Sequence, residues 1–272
     1  MALFPSTSIS SASGDVGYSI ENSCRFQTSW FRRVNTAGSA KSKFTVSLWF
    51  KRSSLAPSTS AWTNPYTQYL WNSDTNYAPG YQVVAIGLHG DRLFCLAGGP
   101  IYNLWPKRLF RDTSAWYHVC LAVDSTQATE TERVKLYING IQEEVANMNG
   151  WADSSAVVWP AQNDVYNITN SNLIAQTVGG RETGVNTLLM EFDGYISDFN
   201  FIDGITLTQN DFGEIDEDYG HWKPKEYEGT YGTTGYHLDF AGTGAKHTIT
   251  ANGNAQHSTA EKKIGDTSIK FD

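Results

Sequence analysis

Four carboxylates crowd the segment Glu214-Ile215-Asp216-Glu217-Asp218-Tyr219. Carboxylates at i, i+2 and about i+5 of a bulged strand can face one sugar, and a pair about 5 Å apart is what a retaining glycosidase needs. Here Tyr219 stands in the third position. The segment follows a short helical signal and runs into Gly220, so it reads as a solvated acidic loop. The six histidines have no Gly-x-Ser-x-Gly partner to supply a nucleophile. His118 lies in an apolar strand pattern and reads as a hydrogen-bonded core residue. His221 and His237 stand beside aromatics and are expected to pack in the C-terminal closing segment. No catalytic residue is assigned.

Binding chemistry has better material. Sugar faces dock on aromatic rings flanked by amide and carboxylate groups. Trp62, Tyr66, Trp71, Tyr77 and Trp151 fall in two long irregular stretches, with Asn64, Asn72, Asp74 and Asn76 among them. They are the candidate carbohydrate-binding residues; the competing expectation is that these rings fill the ends of the fold or a subunit interface. Calcium is a weaker candidate, since it needs six to eight oxygens, usually from two or more carboxylates. Asp193, Asp198 and Asp203 lie near one strand, with Asp74 or Asp153 able to reach in from a loop. No Asp-x-Asp-x-Asp-Gly loop is present, and no cofactor is required.

The elements that must position these groups are strands. Phe44, Val46, Leu48 and Phe50 alternate with polar residues, giving a strand with one buried face. Residues 83–88 and 92–97 flank His89-Gly90-Asp91, a tight hairpin. Tyr117, Val119, Leu121 and Val123 share one face of a strand whose other face carries His118, Cys120 and Ala122. That strand is expected to be central and covered on both sides. Val134, Leu136 and Ile138 run into Asn139-Gly140, a type I′ turn signal, and Ile141 starts the return. Another strand is expected from Phe192 to Ile202, around Asp193-Gly194. One short helix starts at the cap Thr208-Gln209-Asn210-Asp211 and closes at Gly213. Residues 53–80 and 146–172 read as long loops.

The bulk numbers exclude several classes. The 272 residues carry a net charge of −8 with only 18% charged side chains and no basic stripe, so no nucleic-acid footprint is expected. There is no apolar run near 18 residues, hence no expected membrane span, and the N-terminus has no signal-peptide pattern. Cys24, Cys95 and Cys120 lack metal-type spacing and read as buried thiols.

The stretch from Leu109 to Val119, centred on Trp116-Tyr117-His118, continues through Asp124-Ser125-Thr126-Gln127 and Arg133 to Gly140. Together with Phe44 to Ser53, Phe192 to Gly204, Trp222-Lys223-Pro224-Lys225 and Tyr227 to Phe240, it resembles the laminin-G-like, concanavalin-A-like jelly-roll domains of bacteriophage structural proteins. The resemblance implies an all-β fold: a jelly-roll β-sandwich of two antiparallel sheets with one short helix. It divides the chain into an N-terminal segment (1–17), the sandwich (18–240), a linker (241–263) and residues 264–272. The last resemble residues 17–27 and read as the first strand of a second copy or as an exchanged edge strand.

The expected function is a non-enzymatic virion surface protein, a tail-fibre or adhesin-type module binding host-surface glycans. A capsid or tail decoration protein without a glycan ligand is the alternative, and a polysaccharide-degrading enzyme the third. Expected partners are other virion proteins, copies of the chain and host cell-surface polysaccharide, with no nucleic acid and no membrane insertion. The expected location is the virion, after synthesis in the host cytoplasm.

Overall fold

The computed structural model describes residues 18–34, 41–55, 66–74, 84–97, 103–149, 152–155, 159–166, 168, 175–184, 187–241, 250–252, 255–258 and 268–271. The strands in the first third of the chain are β1 (Cys24–Phe26), β2 (Trp30–Val34), β3 (Lys43–Arg52), β4 (Thr67–Asp74), β5 (Val84–His89), β6 (Arg92–Ala97) and β7 (Asn103–Pro106). There follow β8 (Tyr117–Asp124), β9 (Val134–Ile138), β10 (Ile141–Gln142), β11 (Val145–Asn149), β12 (Ala152–Ser155), β13 (Ala175–Val178), β14 (Arg181–Gly184) and β15 (Thr187–Leu189). The last are β16 (Gly194–Asp203), β17 (Gly213–Ile215), β18 (Trp222–Pro224), β19 (Tyr236–Leu238), β20 (Thr250–Asn252), β21 (Ala255–Ser258) and β22 (Ser268–Phe271).

They form two nine-stranded sheets and two two-stranded ones, β14-β15 and β17-β18. The first runs β10-β9-β8-β3-β16-β1-β22-β21, with β19 also on β16; the second runs β12-β11-β7-β6-β5-β4-β13-β2-β20. The described pairings are antiparallel except β1 with β22, which meet in parallel at Cys24 and Ile269.

The period-two faces meet as expected. Phe44, Val46, Leu48 and Phe50 of β3, with Val119, Leu121 and Val123 of β8, pack against Leu70, Trp71, Ile86 and Leu93 of the second sheet. All of β8 is buried, on both faces. Its outward side (Cys120, Ala122) joins Tyr137, Ile202 and Phe212 in a separate apolar cluster, to which Ile205, Leu207, Tyr227 and Tyr231 add. The chain from 204 to 235 is therefore a strap laid across the outside of the first sheet. The outside of the second sheet carries Tyr69, Ala85, Phe94 and Trp105, with Leu96 and Met190 against them.

Several local signals are confirmed in detail. Asn139 and Gly140 both take positive φ (48° and 81°), the requirement of a type I′ turn. Only one 3-10 turn, Gln209–Asp211, forms at the helix signal; the Asp211 carboxylate accepts from the Thr208 amide at 2.8 Å. The three cysteines are free and buried, and burial drives their pKa upward.

Other segments differ from expectation. The stretch 53–80 contains β4, and 146–172 contains β11 and β12. The stretch read as a linker contributes β20 and β21, which pair with β2 and β22. The strand expected from Phe192 begins at Gly194, because Phe192 and Asp193 lead into it with the Asp193 carbonyl accepting from Ser53.

Candidate functional site

A cavity of about 260 Å³ opens between the first sheet and the strap. Its floor is the outward face of β8 and β9. Lys135 and Tyr137 alternate with the core residues Val134, Leu136 and Ile138, so strand period two turns both toward the cavity, beside Ala122. The opposite wall is Thr206, Leu207 and Thr208 of the strap. Two hydrogen bonds hold that wall: Leu207 N–H to Thr45 Oγ1 at 2.9 Å and Thr206 Oγ1 to the Val123 carbonyl at 2.8 Å.

The third side is the turn after β8. Asp124 Oδ1 accepts from the Thr126 amide (3.0 Å) and hydroxyl (2.5 Å), while Oδ2 accepts from Gln127 Nε2 (2.8 Å) and Lys43 Nζ (3.0 Å). Arg133 knits the rest of this loop, donating to the carbonyls of Gln127, Ala128 and Pro160 at 2.9, 3.0 and 2.7 Å. Glu132 closes the rim with an ion pair to Lys135 at 2.5 Å, which raises the Lys135 pKa.

Burial alone would raise the Asp124 carboxyl, but hydrogen bonds from Thr126, Gln127 and Lys43 outweigh it and pull the pKa from 3.8 down to about 2. The folded-state value lies below the unfolded one. The stabilisation is therefore fully present above about pH 4 and lost as pH falls through about 2. It amounts to about 2 kcal/mol. Thermal melts of the wild type and Asp124→Asn at pH 5, 3 and 2 should show a gap that closes toward pH 2; a gap independent of pH would contradict this assignment.

The strap is pinned at Trp222. Its indole N–H donates to His118 Nδ1 at 3.0 Å, and the rings stack with centroids 5.9 Å apart. The indole packs on Gly140 and Gly213, where a Cβ would collide with it. Since His118 accepts at Nδ1, the neutral ring carries its proton on Nε2 and donates it to Ser47 Oγ at 2.8 Å. The Ser47–His118 pair thus cannot act as nucleophile and base. It is a buried structural link, as expected of His118.

Of the five aromatic candidates, Tyr66 and Trp71 are among the described residues. Trp62, Tyr77 and Trp151, with Asn64 and Asn76, lie outside the described residues, as do the side chains of Asp74 and Asp153. Tyr66 is half-buried at the foot of β4, where its carbonyl accepts from Gly90 at 2.9 Å. Trp71 is a correction: it is fully buried and stacks on Phe201 at 5.8 Å, so neither ring face is open to a sugar. The cause is a bulge in β4 between Tyr69 and Trp71, which shifts the alternation and aims Leu70 and Trp71 into one core. Asn72 is also buried and accepts from the Thr177 hydroxyl.

The three aspartates do not share a calcium site. Asp193 is held by Arg25 (2.5 Å) and Ser54 (2.6 Å), Asp198 by His237 (2.7 Å) and Tyr18 (3.3 Å), and Asp203 by Thr234 (2.8 Å) and Lys41 (3.4 Å). Among the described residues no three His, Cys, Asp or Glu side chains gather as ligands. The His237–Asp198 contact raises the His237 pKa, against the opposing effect of burial.

The acidic segment is a turn rather than a catalytic strand. Asp216 accepts from the amides of Asp218 and Tyr219 at 3.0 Å each, which lowers its pKa. Lys223 bridges Glu214 (3.4 Å) and Asp216 (3.6 Å). A carboxylate held ionised this way is a poor general acid.

The cavity itself was missed from the sequence. The alternation of Lys135 and Tyr137 was a usable signal for its floor; the strap that walls it comes from 70 residues further along.

A match to the family described as the Concanavalin A-like lectin/glucanases superfamily, of laminin-G type, covers residues 31–211. The chain belongs to that superfamily. No curated protein sequence shows significant similarity to it. Among solved structures it is similar to a Bacteroides ovatus protein described as a candidate carbohydrate binding protein. That likeness has 15% identity and a TM-score of 0.50, over 93% of this chain and 60% of that one. The SAP-like pentraxin of Limulus polyphemus matches at 12% identity and TM-score 0.44, over 85% and 94%. Domains LG4-5 of the mouse laminin α1 chain match at 10% and 0.42, over 92% and 52%. These likenesses concern the fold. The chain spans little more than half the length of the Bacteroides and laminin proteins.

Proposed function

We propose that the chain is a non-catalytic glycan-binding module displayed on a bacteriophage virion, holding host-surface polysaccharide weakly and gaining avidity from repeated copies. One observation carries the reading: the cavity between the first sheet and the strap, with a tyrosine floor, two threonine hydroxyls, an amide and an ion pair at its rim. Concave sites with an apolar base and a few placed polar groups are the ordinary form of small-ligand sites. Membership in a lectin-containing superfamily supports it, and the self-locked acidic turn speaks against hydrolysis at the segment that most resembled a catalytic motif.

A second reading, a decoration protein without a sugar ligand, draws on the tip of the β17–β18 hairpin. There Tyr219 is 81% and Ile215 56% exposed, a surface suited to a neighbouring protein. Electron cryo-microscopy of the intact particle should separate the two. The glycan reading expects this chain at a distal position with the Lys135–Glu132 rim facing outward. Density with that rim buried against neighbouring subunits would overturn it in favour of decoration.

A further inference from the structure

We propose that the cavity takes a single uncharged pyranose ring and discriminates against both acidic and amino sugars; this rests on the glycan-binding reading above. The first argument is size. At about 260 Å³ the cavity falls below the roughly 300–1,000 Å³ of sites for drug-sized ligands. One ring is its natural occupant, not an oligosaccharide lying lengthwise.

The second argument is charge. Among the described residues each charged group at the cavity already has a counter-charge: Asp124 meets Lys43 at 3.0 Å, and Glu132 meets Lys135 at 2.5 Å. Asp124 is saturated by four donors, so it has no unmet demand for a ligand cation. A uronate would have to draw Lys135 away from Glu132, and an ammonium sugar would have to draw Glu132 away from Lys135. Either gain is offset by the pair that it breaks.

The third argument is the sense of the neutral hydrogen-bonding groups. The Thr206 hydroxyl donates to the Val123 carbonyl, the Thr208 hydroxyl to Asp211 Oδ2, and Gln127 Nε2 to Asp124. With the two hydroxyl protons committed, what the threonines offer a ligand is oxygen lone pairs, and Gln127 adds its amide oxygen and its second N–H. A ligand that supplies several O–H donors fits this set. The Tyr137 ring and Leu207 supply apolar surface for the C–H face of the same ring.

The test is saturation-transfer and titration NMR with methyl glucoside, methyl galactoside, methyl mannoside, glucuronate and glucosamine. The wild type should bind at least one neutral glycoside, at roughly millimolar affinity, in preference to both charged sugars. Glu132→Gln leaves Lys135 uncompensated and should improve glucuronate about fourfold; Lys135→Met frees Glu132 and should improve glucosamine by a similar factor. Both side chains are partly exposed, at 49% and 31%, so folding should survive, with thermal melts as the check. A purely structural ion pair would not move these preferences in opposite directions. Wild type preferring a charged sugar, or variants that shift together, would overturn the selectivity while leaving glycan binding standing. No binding of any sugar would overturn both.

Discussion

Trp71→Ala is expected to remove about 4 kcal/mol of folding stability, the cost of deleting a large ring from a closed core. Domains are typically stable by only about 5–15 kcal/mol, so the variant should sit near the edge of unfolding. The indole is fully buried, lies 5.8 Å from the Phe201 ring and 6.5 Å from Phe199, and joins the second sheet to β16 across the sandwich. Chemical denaturation should show a lower midpoint with an unchanged slope. Trp71→Phe keeps much of the contact and should cost less. Sugar affinity per folded molecule should be unchanged in either variant, because the ring lies inside the sandwich and the cavity outside it. A Trp71→Ala protein of normal stability with lost sugar binding would restore the stacking role expected from the sequence.

Trp222→Ala is the second large effect, about 3 kcal/mol. The indole is half-buried, so it loses less packing than Trp71, but it takes with it the hydrogen bond to His118 Nδ1. A buried acceptor left without a donor costs about 1–3 kcal/mol in itself. Hydrogen exchange should rise across residues 204–235 while β3 and β8 stay protected. Trp222→Phe retains the contact on Gly140 and Gly213 and isolates the hydrogen bond, at about 1 kcal/mol. Because Thr206, Leu207 and Thr208 belong to the same strap, sugar affinity should fall with strap protection. Unchanged exchange in the strap would mean that other contacts fasten it.

The first sheet was largely legible because its strands alternate cleanly. β3, β8 and β9 each place every second side chain in one core, and Asn139-Gly140 fixes a turn by its φ requirement alone. β4 was hidden for the opposite reason. It buries Gln68, Asn72 and Ser73, whose polarity mimics a loop, and it breaks period two with a bulge. Asn72 and Ser73 are tolerable because partners come from distant segments: Ser73 donates to the Ile168 carbonyl, 95 positions away, and Asn72 accepts from Thr177, 105 away. Local sequence carries no sign of such pairings. The cavity shares the problem. Lys135 and Tyr137 alternate visibly on β9, but their significance depends on the strap folding back over them.

Burial of all three thiols has a practical consequence for handling the molecule. The thiolate is the species that reacts with oxidants and alkylating reagents; Cys24 and Cys95 are inside the sandwich and Cys120 is buried beneath the strap, all three with pKa values driven upward. The three thiols are therefore expected to react slowly with either class of reagent while the chain stays folded. A single cysteine introduced at the hairpin tip, as Tyr219→Cys, would be the one fast-labelling thiol among the described residues. A fluorophore or spin label could then follow the module without first replacing its buried cysteines.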